Sequence, residues 1–193
     1  MTILQSKEFE NLTFKKEVCT SGDLKGTSFS RVIFESCDLS QSLLMNAKLI
    51  GCKFLGCNLS LIKLDGARLQ EVEFENCKLV GVNFSKVDPL FFSIKFKNCL
   101  IDLANFSDLQ MKGTSFLNCL VREAHFSHTN LTEAVFTGSN LAGTTFHNCN
   151  LSKAVFTDAL NYTIDPTTNV LKRARFSSPG VLSLLDHLGI TID

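Results

Sequence analysis

Apolar residues recur at every fifth position along most of the chain. From Phe9 to Phe84 these positions hold Phe or Leu, and Cys19 is the one exception. The frame shifts by two residues around Val87 to Pro89 and then continues to Phe156. A period of five matches neither the period of about 3.6 of a helix nor the period of about 2 of a strand. The pattern therefore predicts short extended segments, joined by turns and wound into a solenoid.

A second inward position lies two residues before each of these centres, and it mostly holds Ala, Cys, Ser, Thr or Val. Phe recurs every 20 residues in each half, so four five-residue units make one coil. Beside the shift, we expect Phe91 to be an inward centre and Pro89 to fill a small inward position. We predict one column of stacked rings through the core, formed by Phe14, Phe34, Phe54, Phe74, Phe96, Phe116, Phe136 and Phe156.

Individual units identify a family resemblance. Ala104–Asp108 reads Ala-Asn-Phe-Ser-Asp, and Thr129–Glu133 and Ser139–Gly143 repeat the same order of small residue, Asn, and Phe or Leu. These units match the A(D/N)LXX motif, and from Lys7 to Ala159 the chain resembles the pentapeptide-repeat proteins. The resemblance implies an all-β fold, a right-handed quadrilateral β-helix.

The C-terminal part departs from the repeat. We expect residues 1–160 to form the β-helix, with the two-residue frame slip near 85–90, and residues 161–193 to form a capping and dimerisation segment. Ser178 is a good N-cap, and Pro179 suits the first position of a short helix. Gly189 can terminate that helix, and Ile190–Ile192 reads as a short strand.

This tail looks like the ends of the gyrase-protecting members of the family, which include albicidin-resistance, microcin B17 immunity and quinolone-resistance proteins. The resemblance rests on Asn161–Asp165, Lys172–Phe176 and Leu184–Ile190. It implies a rod-shaped homodimer joined through the C-terminal segment. The expected dimer contacts are Val181, Leu184, Leu185, Leu188, Ile190 and Ile192.

The same resemblance implies a function without catalysis. Such proteins bind DNA gyrase or topoisomerase IV, protect it from inhibitors, and are regarded as mimics of DNA. Here 19 basic and 19 acidic side chains balance, which weakens both direct nucleic-acid binding and mimicry by charge alone. The alternative is a repeat scaffold that binds another protein. Either function would use exposed apolar residues, for which the candidates are Leu43, Met45, Leu90, Phe92, Leu100 and Leu103.

Residues with reactive side chains give little indication of a catalytic or metal-binding site. All eight Cys fall on inward positions and form no CxxC pair, so we interpret them as core thiols and not as disulfides or zinc ligands. His125, His128 and His147 would share one wall. They could form a weak metal site, and the alternative interpretation is that they are ordinary solvated side chains. Catalytic motifs, a long apolar run and a signal peptide are absent from the sequence. We therefore expect a cytoplasmic protein with no cofactor, no membrane span and no enzymatic activity.

Overall fold

The computed structural model describes residues 6–178, 180–188 and 190. These residues form an all-β solenoid of about eight coils, followed by a short C-terminal 3-10 helix, so the expected fold class is confirmed. The strands are short, and the helix spans Gly180–Leu188. The strands are β1 (Glu8–Glu10), β2 (Thr13–Lys15), β3 (Ser28–Ser30), β4 (Ile33–Glu35), β5 (Lys48–Ile50), β6 (Lys53–Leu55), β7 (Arg68–Gln70), β8 (Val72–Glu75), β9 (Ile94–Lys97), β10 (Leu100–Asp102), β11 (Ser115–Leu117), β12 (Leu120–Arg122), β13 (His125–Ser127), β14 (Thr145–His147), β15 (Val155–Phe156) and β16 (Arg175–Phe176).

Every strand pairs in parallel with a strand of a neighbouring coil. β2, β4, β6, β8, β9 and β11 form the longest sheet in that order, and β1, β3, β5 and β7 form a second one. We number the four walls by their inward residues in the first coil: wall 1 (Phe9), wall 2 (Phe14), wall 3 (Cys19) and wall 4 (Leu24). We number the coils 1 to 8 by the successive Phe residues of wall 2, from Phe14 to Phe156.

The corners between walls require an unusual backbone conformation. The residue two positions after nearly every centre has φ in the left-handed region, for example 52° at Asn11 and 53° at His128. The amide of such a corner residue donates to a carbonyl of the next coil, as from Asn11 to Ser30 at 3.0 Å. Asn and Gly tolerate this region better than most residues, which explains why they are frequent at this position of the repeat.

The repeated Asn-Leu-Ser and Asp-Leu-Ser sequences stabilise the turns. The Oδ1 atom of Asn58 accepts hydrogen bonds from the amide of Ser60 at 3.2 Å and from its hydroxyl at 2.8 Å. Asp38 makes the same pair of bonds to Ser40. These side chains hold the chain as it leaves the strand, so the motif is explained by local hydrogen bonding.

The eight predicted Phe residues of wall 2 stack in one column and are buried. Adjacent ring centroids lie 4.6 Å apart at Phe34 and Phe54, where the planes differ by 3°, and 5.0 Å apart at Phe96 and Phe116. On wall 4, Phe106 meets Phe116 edge to face at 5.6 Å and 86°. Stacked and edge-on contacts are the arrangements that aromatic quadrupoles favour, so the core is a regular lattice of rings.

All eight cysteines are free and buried. On wall 3 the backbone amide of Cys37 donates to the Sγ atom of Cys57 at 3.4 Å, and the thiol of Cys57 donates to the carbonyl of Phe34 at 3.3 Å. The same pattern continues through Cys77 and Cys99. The thiols of this column therefore fill small inward positions and satisfy the backbone of neighbouring coils.

The structure corrects the expected position of the frame shift. Val87 is buried at a small inward position, and the Asp88 backbone remains in register with Arg68. Pro89 is exposed, and Phe91 is a corner residue with φ of 59° and 65% exposure, so the predictions that these two residues point inward were wrong. The two additional residues are Phe92 and Ser93, because Ile94 pairs with Val72 at an offset two residues longer.

Parallel pairing continues past residue 160. Val170 forms a bridge with Asn150, and Phe176 pairs with Phe156 in a partial ninth coil. The expected helix is present, as a 3-10 helix. The expected strand over Ile190–Ile192 lies outside the described residues except for Ile190, which has no regular structure.

Candidate interaction surfaces

The interior of the rod is filled by side chains, so candidate sites lie on its outside. His125, His128 and His147 share wall 4, and the rings of His128 and His147 are 6.2 Å apart. The Nδ1 atom of His128 lies 3.9 Å from Asp108. Among residues 6–178, 180–188 and 190, no group of three His, Cys, Asp or Glu residues is placed to hold a metal ion. In the same part of the chain, no helix has the length and apolarity needed to cross a membrane.

Ion pairs between successive coils cover wall 2. The Nζ atoms of Lys15, Lys53 and Lys97 lie 2.8, 2.9 and 2.7 Å from carboxylate oxygens one coil away, on Glu35, Glu73 and Glu75 respectively. The hydrogen bond from Lys53 lowers the pKa of the Glu73 carboxyl. Exposed pairs of this kind contribute little to stability, but they leave none of these three carboxylates unpaired.

Wall 1 shows the same neutralisation. Arg68 donates two hydrogen bonds to Asp88, at 2.9 and 3.1 Å, and Glu133 lies between Lys153 at 2.9 Å and Lys112 at 3.9 Å. The hydrogen bond from Lys153 lowers the pKa of Glu133. Most carboxylates of these walls are therefore partnered, and they do not form the continuous negative stripe that a mimic of the DNA backbone would present.

The frame shift makes a bulge, which we define as Leu90–Ser93. Leu90 and Phe91 are exposed, while Phe92 is partly buried against the core. The Oδ1 atom of Asp88 accepts a hydrogen bond from the Leu90 amide at 2.9 Å, and this bond, followed by the contact with Arg68, lowers the pKa of Asp88. A recess of about 320 Å³ lies beside the bulge, lined by Glu71, Val72, Glu73, Phe92, Ser93, Ile94, Lys95, Lys112, Gly113 and Thr114.

The C-terminal helix packs against the last coil and divides its apolar residues between two environments. A Cβ at Gly180 would clash with the hydroxyl of the buried Tyr162, so glycine permits the close approach of the helix. Leu184 is partly buried against the core. Val181, Leu188 and Ile190 are exposed, and Leu185 is half-buried. Of the expected dimer contacts, Ile192 lies outside the described residues.

The family assignment follows from the repeat and from two matching family models. A model for a pentapeptide repeat region matches residues 27–106, and a model for eight pentapeptide repeats matches residues 122–158. Together they cover more than half of the chain. This chain belongs to the pentapeptide-repeat family. The family is one of scaffolds and is generally non-catalytic.

Solved structures of other pentapeptide-repeat proteins share the fold. A trypsin-treated variant of QnrB1, a plasmid-mediated fluoroquinolone resistance protein, is 16% identical with a TM-score of 0.63, over 96% of this chain and 97% of that one. HetL, involved in heterocyst differentiation regulation in the cyanobacterium Nostoc sp. strain PCC 7120, is 17% identical with a TM-score of 0.51, over 88% of this chain and 85% of that one. A search of curated proteins gave no match.

The predicted exposed apolar residues of this pentapeptide-repeat protein differ in their accessibility. Leu90 and Leu103 are exposed, whereas Leu43, Met45, Phe92 and Leu100 are half-buried. Sequence reasoning missed several further exposed residues, among them Leu61, Phe91 and Leu120. Leu61 occupies a corner position and Leu120 an outward strand position, so the five-residue register could have identified both.

Proposed function

We propose that this protein binds a type II DNA topoisomerase, DNA gyrase or topoisomerase IV, and protects it from inhibitors without catalysing a reaction. The observation that carries the proposal is its likeness to QnrB1, a fluoroquinolone resistance protein, over nearly the whole of both chains. The resemblance of Asn161–Asp165 and Leu184–Ile190 to the tails of gyrase-protecting proteins adds support. The proposed place of action is the cytoplasm, and no direct contact with nucleic acid is required.

The protein would act as a dimer. The exposed apolar residues Val181, Leu188 and Ile190 lie at one end of the rod, and burying them against a second copy would remove apolar surface from water. Two rods joined end to end would present a long surface with two copies of every wall. Because the charges of walls 1 and 2 are paired, we propose that shape and apolar contacts, more than negative charge, provide recognition.

The bulge is the proposed contact with the topoisomerase. Phe91 exposes an aromatic ring at the one place where an insertion interrupts the coils of residues 6–158, and exposed aromatic residues are frequent anchors of protein interfaces. Its neighbour Leu90 enlarges the apolar surface. The adjoining recess could receive a side chain of the partner.

A gyrase supercoiling assay tests this proposal, with and without a fluoroquinolone or albicidin. We expect the protein to restore supercoiling in the inhibited reaction, or to inhibit the uninhibited one. Phe91→Ser should weaken the effect about tenfold or more, whereas Leu160→Ser, which changes an exposed residue on wall 3, should not. If the protein has no effect on gyrase or topoisomerase IV at concentrations far above that of the enzyme, the proposal is wrong.

A scaffold that binds another protein is the second candidate. The likeness to HetL, which is involved in the regulation of differentiation, favours it, because the same rod occurs in a protein with a different described role. Affinity purification discriminates the two functions. If topoisomerase subunits are absent from the enriched proteins while another partner is lost in the Phe91→Ser variant, the scaffold function replaces the first proposal.

A further inference from the structure

Wall 3 has an apolar area that the proposed function does not use. We define the wall-3 patch as Leu61, Val80, Leu100, Leu103 and Leu120. Its residues follow one another from coil to coil. The Leu61 amide donates to the Val80 carbonyl at 2.8 Å, the Gly81 amide donates to the carbonyl of Asp102, beside Leu103, at 2.8 Å, and Leu100 pairs directly with Leu120. Leu61, Leu103 and Leu120 are exposed, and Leu103 reaches 54%.

The packing of Leu61 against the next coil extends the apolar surface of the patch along the rod. Leu61 extends across Gly81 in the next coil, where a Cβ would lie 2.8 Å from the Leu61 Cδ2 atom. In the middle of the wall, Arg122 donates to Asp102 at 3.0 Å, so the charges nearest the leucines cancel. The result is an apolar strip across coils 3 to 6, in which Arg122 and Asp102 neutralise each other.

The two halves of the patch carry opposite charges. Lys63 lines the same recess as Leu61, and Lys78 is the strand neighbour of Leu100 towards the N-terminal end of the rod. Glu123 is the corner residue of coil 6, one coil beyond Leu103. Within the described part of the chain, Lys63, Lys78 and Glu123 form no ion pair. Lys78 interacts at longer range with Asp38 and Glu123 with Arg122, but none of the three is held in a contact ion pair, so each can face a partner of complementary charge.

An amphipathic α-helix fits this arrangement. Coils repeat every ~4.8 Å along the rod, close to the ~5.4 Å rise of one helical turn, so three turns of a helix match the three coil intervals of the patch. The macrodipole of a helix places partial positive charge at its N-terminus and partial negative charge at its C-terminus. If the N-terminus of the helix lies over Glu123 and its C-terminus lies towards Lys63 and Lys78, each partial charge of the helix is close to a side chain of opposite charge.

We propose that the wall-3 patch binds an amphipathic helix of another protein, lying along the rod with its N-terminal end towards Glu123. The helix would place apolar residues spaced three and four apart on the patch. This contact goes beyond the proposed function, since it lies on a different surface from the bulge and does not require a topoisomerase.

A designed peptide tests the proposal. The probe is an acetylated and amidated helix of about 14 residues, with leucines spaced three and four apart, lysines in its first turn and glutamates in its last. A control peptide exchanges the lysines and glutamates. Binding to the full-length protein is measured by fluorescence anisotropy, and the contact surface is mapped by backbone chemical shifts. We expect saturable binding, with shifts in β10 and β12, and weaker binding of the control peptide by several-fold.

Substitutions provide the matched comparison. Leu103→Ser and Leu120→Ser should each weaken binding about tenfold, because each removes an apolar contact. Leu160→Ser should leave it unchanged, since Leu160 lies on the same wall at 58% exposure but two coils beyond the patch. All three residues are exposed, so the melting temperature should not change, and this is checked first.

Several outcomes would overturn the proposal. These are the absence of saturable binding at millimolar peptide, shifts confined to another wall, equal affinity for the two peptides, and equal effects of Leu103→Ser and Leu160→Ser. A rise of molecular mass with protein concentration that Leu103→Ser removes would identify a second copy of this chain as the occupant, and it would also overturn the proposal.

Discussion

At the scale of single residues, Phe116 tests how tightly the core is packed. It is fully buried, with Phe96 at 5.0 Å on one side and Phe136 at 4.9 Å on the other. We expect Phe116→Ala to lower the free energy of unfolding by about 3–5 kcal/mol, because neighbouring coils cannot close the cavity. Urea denaturation measures this loss. Phe91→Ala is the control, since its exposed ring should contribute within about 0.5 kcal/mol. Similar losses in both variants would contradict the stacked core.

The contrast between these two phenylalanines also shows what the sequence could predict. Phe116 was assigned to the core by its position in a long regular series, where every neighbouring unit supports the same frame. Phe91 has the same side chain, but it lies where two frames meet, and apolarity alone does not distinguish an inward centre from a corner. The hydrogen bonds of Asp88 to Leu90 and Arg68 hold the first frame for one more unit, and this contact between coils cannot be read from residue type.

At the scale of elements, Asp88 connects the bulge to the preceding coil. Its pKa is lowered in the folded protein, so the unfolded chain binds a proton more readily and this contribution to stability is present above the ordinary Asp pKa of about 3.9. It is lost as the pH falls through the lower pKa of the folded state. We expect the protection factor of the Leu90 amide against hydrogen exchange to fall over that same range. In Asp88→Ala this protection should be low at every pH.

A carboxylate in a regular coil provides the control for that experiment. Asp38 accepts hydrogen bonds from the amide and the hydroxyl of Ser40, and these bonds lower its pKa. Asp38→Ala should therefore weaken its own turn but leave the protection of the Leu90 amide unchanged. If both variants affected Leu90 equally, the bulge would depend on the stability of the whole rod and not on Asp88.

For the C-terminal helix, the sequence predicted that a helix is present but not which of its residues are buried and which are exposed. The spacing of Val181, Leu184, Leu185 and Leu188 predicts an apolar stripe along an α-helix. A 3-10 helix has about three residues per turn, which places Leu185 and Leu188 in line with Leu182. Leu182 and Leu188 are exposed, while Leu184 packs against the core. The residue spacing predicts a helix but does not distinguish a 3-10 helix from an α-helix, so the residues that face the last coil could not be assigned from the sequence.

At the scale of the whole molecule, the paired charges predict how binding responds to salt. A partner that recognises a charged mimic of DNA loses affinity steeply as salt rises, because counterions compete for the same charges. Walls 1 and 2 carry ion pairs such as Lys53–Glu73 and Arg68–Asp88, so we expect the affinity for a topoisomerase to change only a few-fold between about 50 and 200 mM salt. Surface plasmon resonance at both salt concentrations measures this. A loss of about a hundredfold or more would restore the model of charge mimicry.

The proposed dimer gives the last prediction. Leu188 is 56% exposed on the C-terminal helix, so Leu188→Lys should leave the coils folded and place an unpaired charge in the interface. Light scattering should then give the mass of one chain where the unsubstituted protein gives that of two, with an unchanged circular dichroism spectrum. Leu160→Lys, at a similar exposure on wall 3, should remain dimeric. Leu184→Lys should instead destabilise the end of the rod, because Leu184 packs against the core. A Leu188→Lys protein that kept the mass of a dimer would place the interface elsewhere.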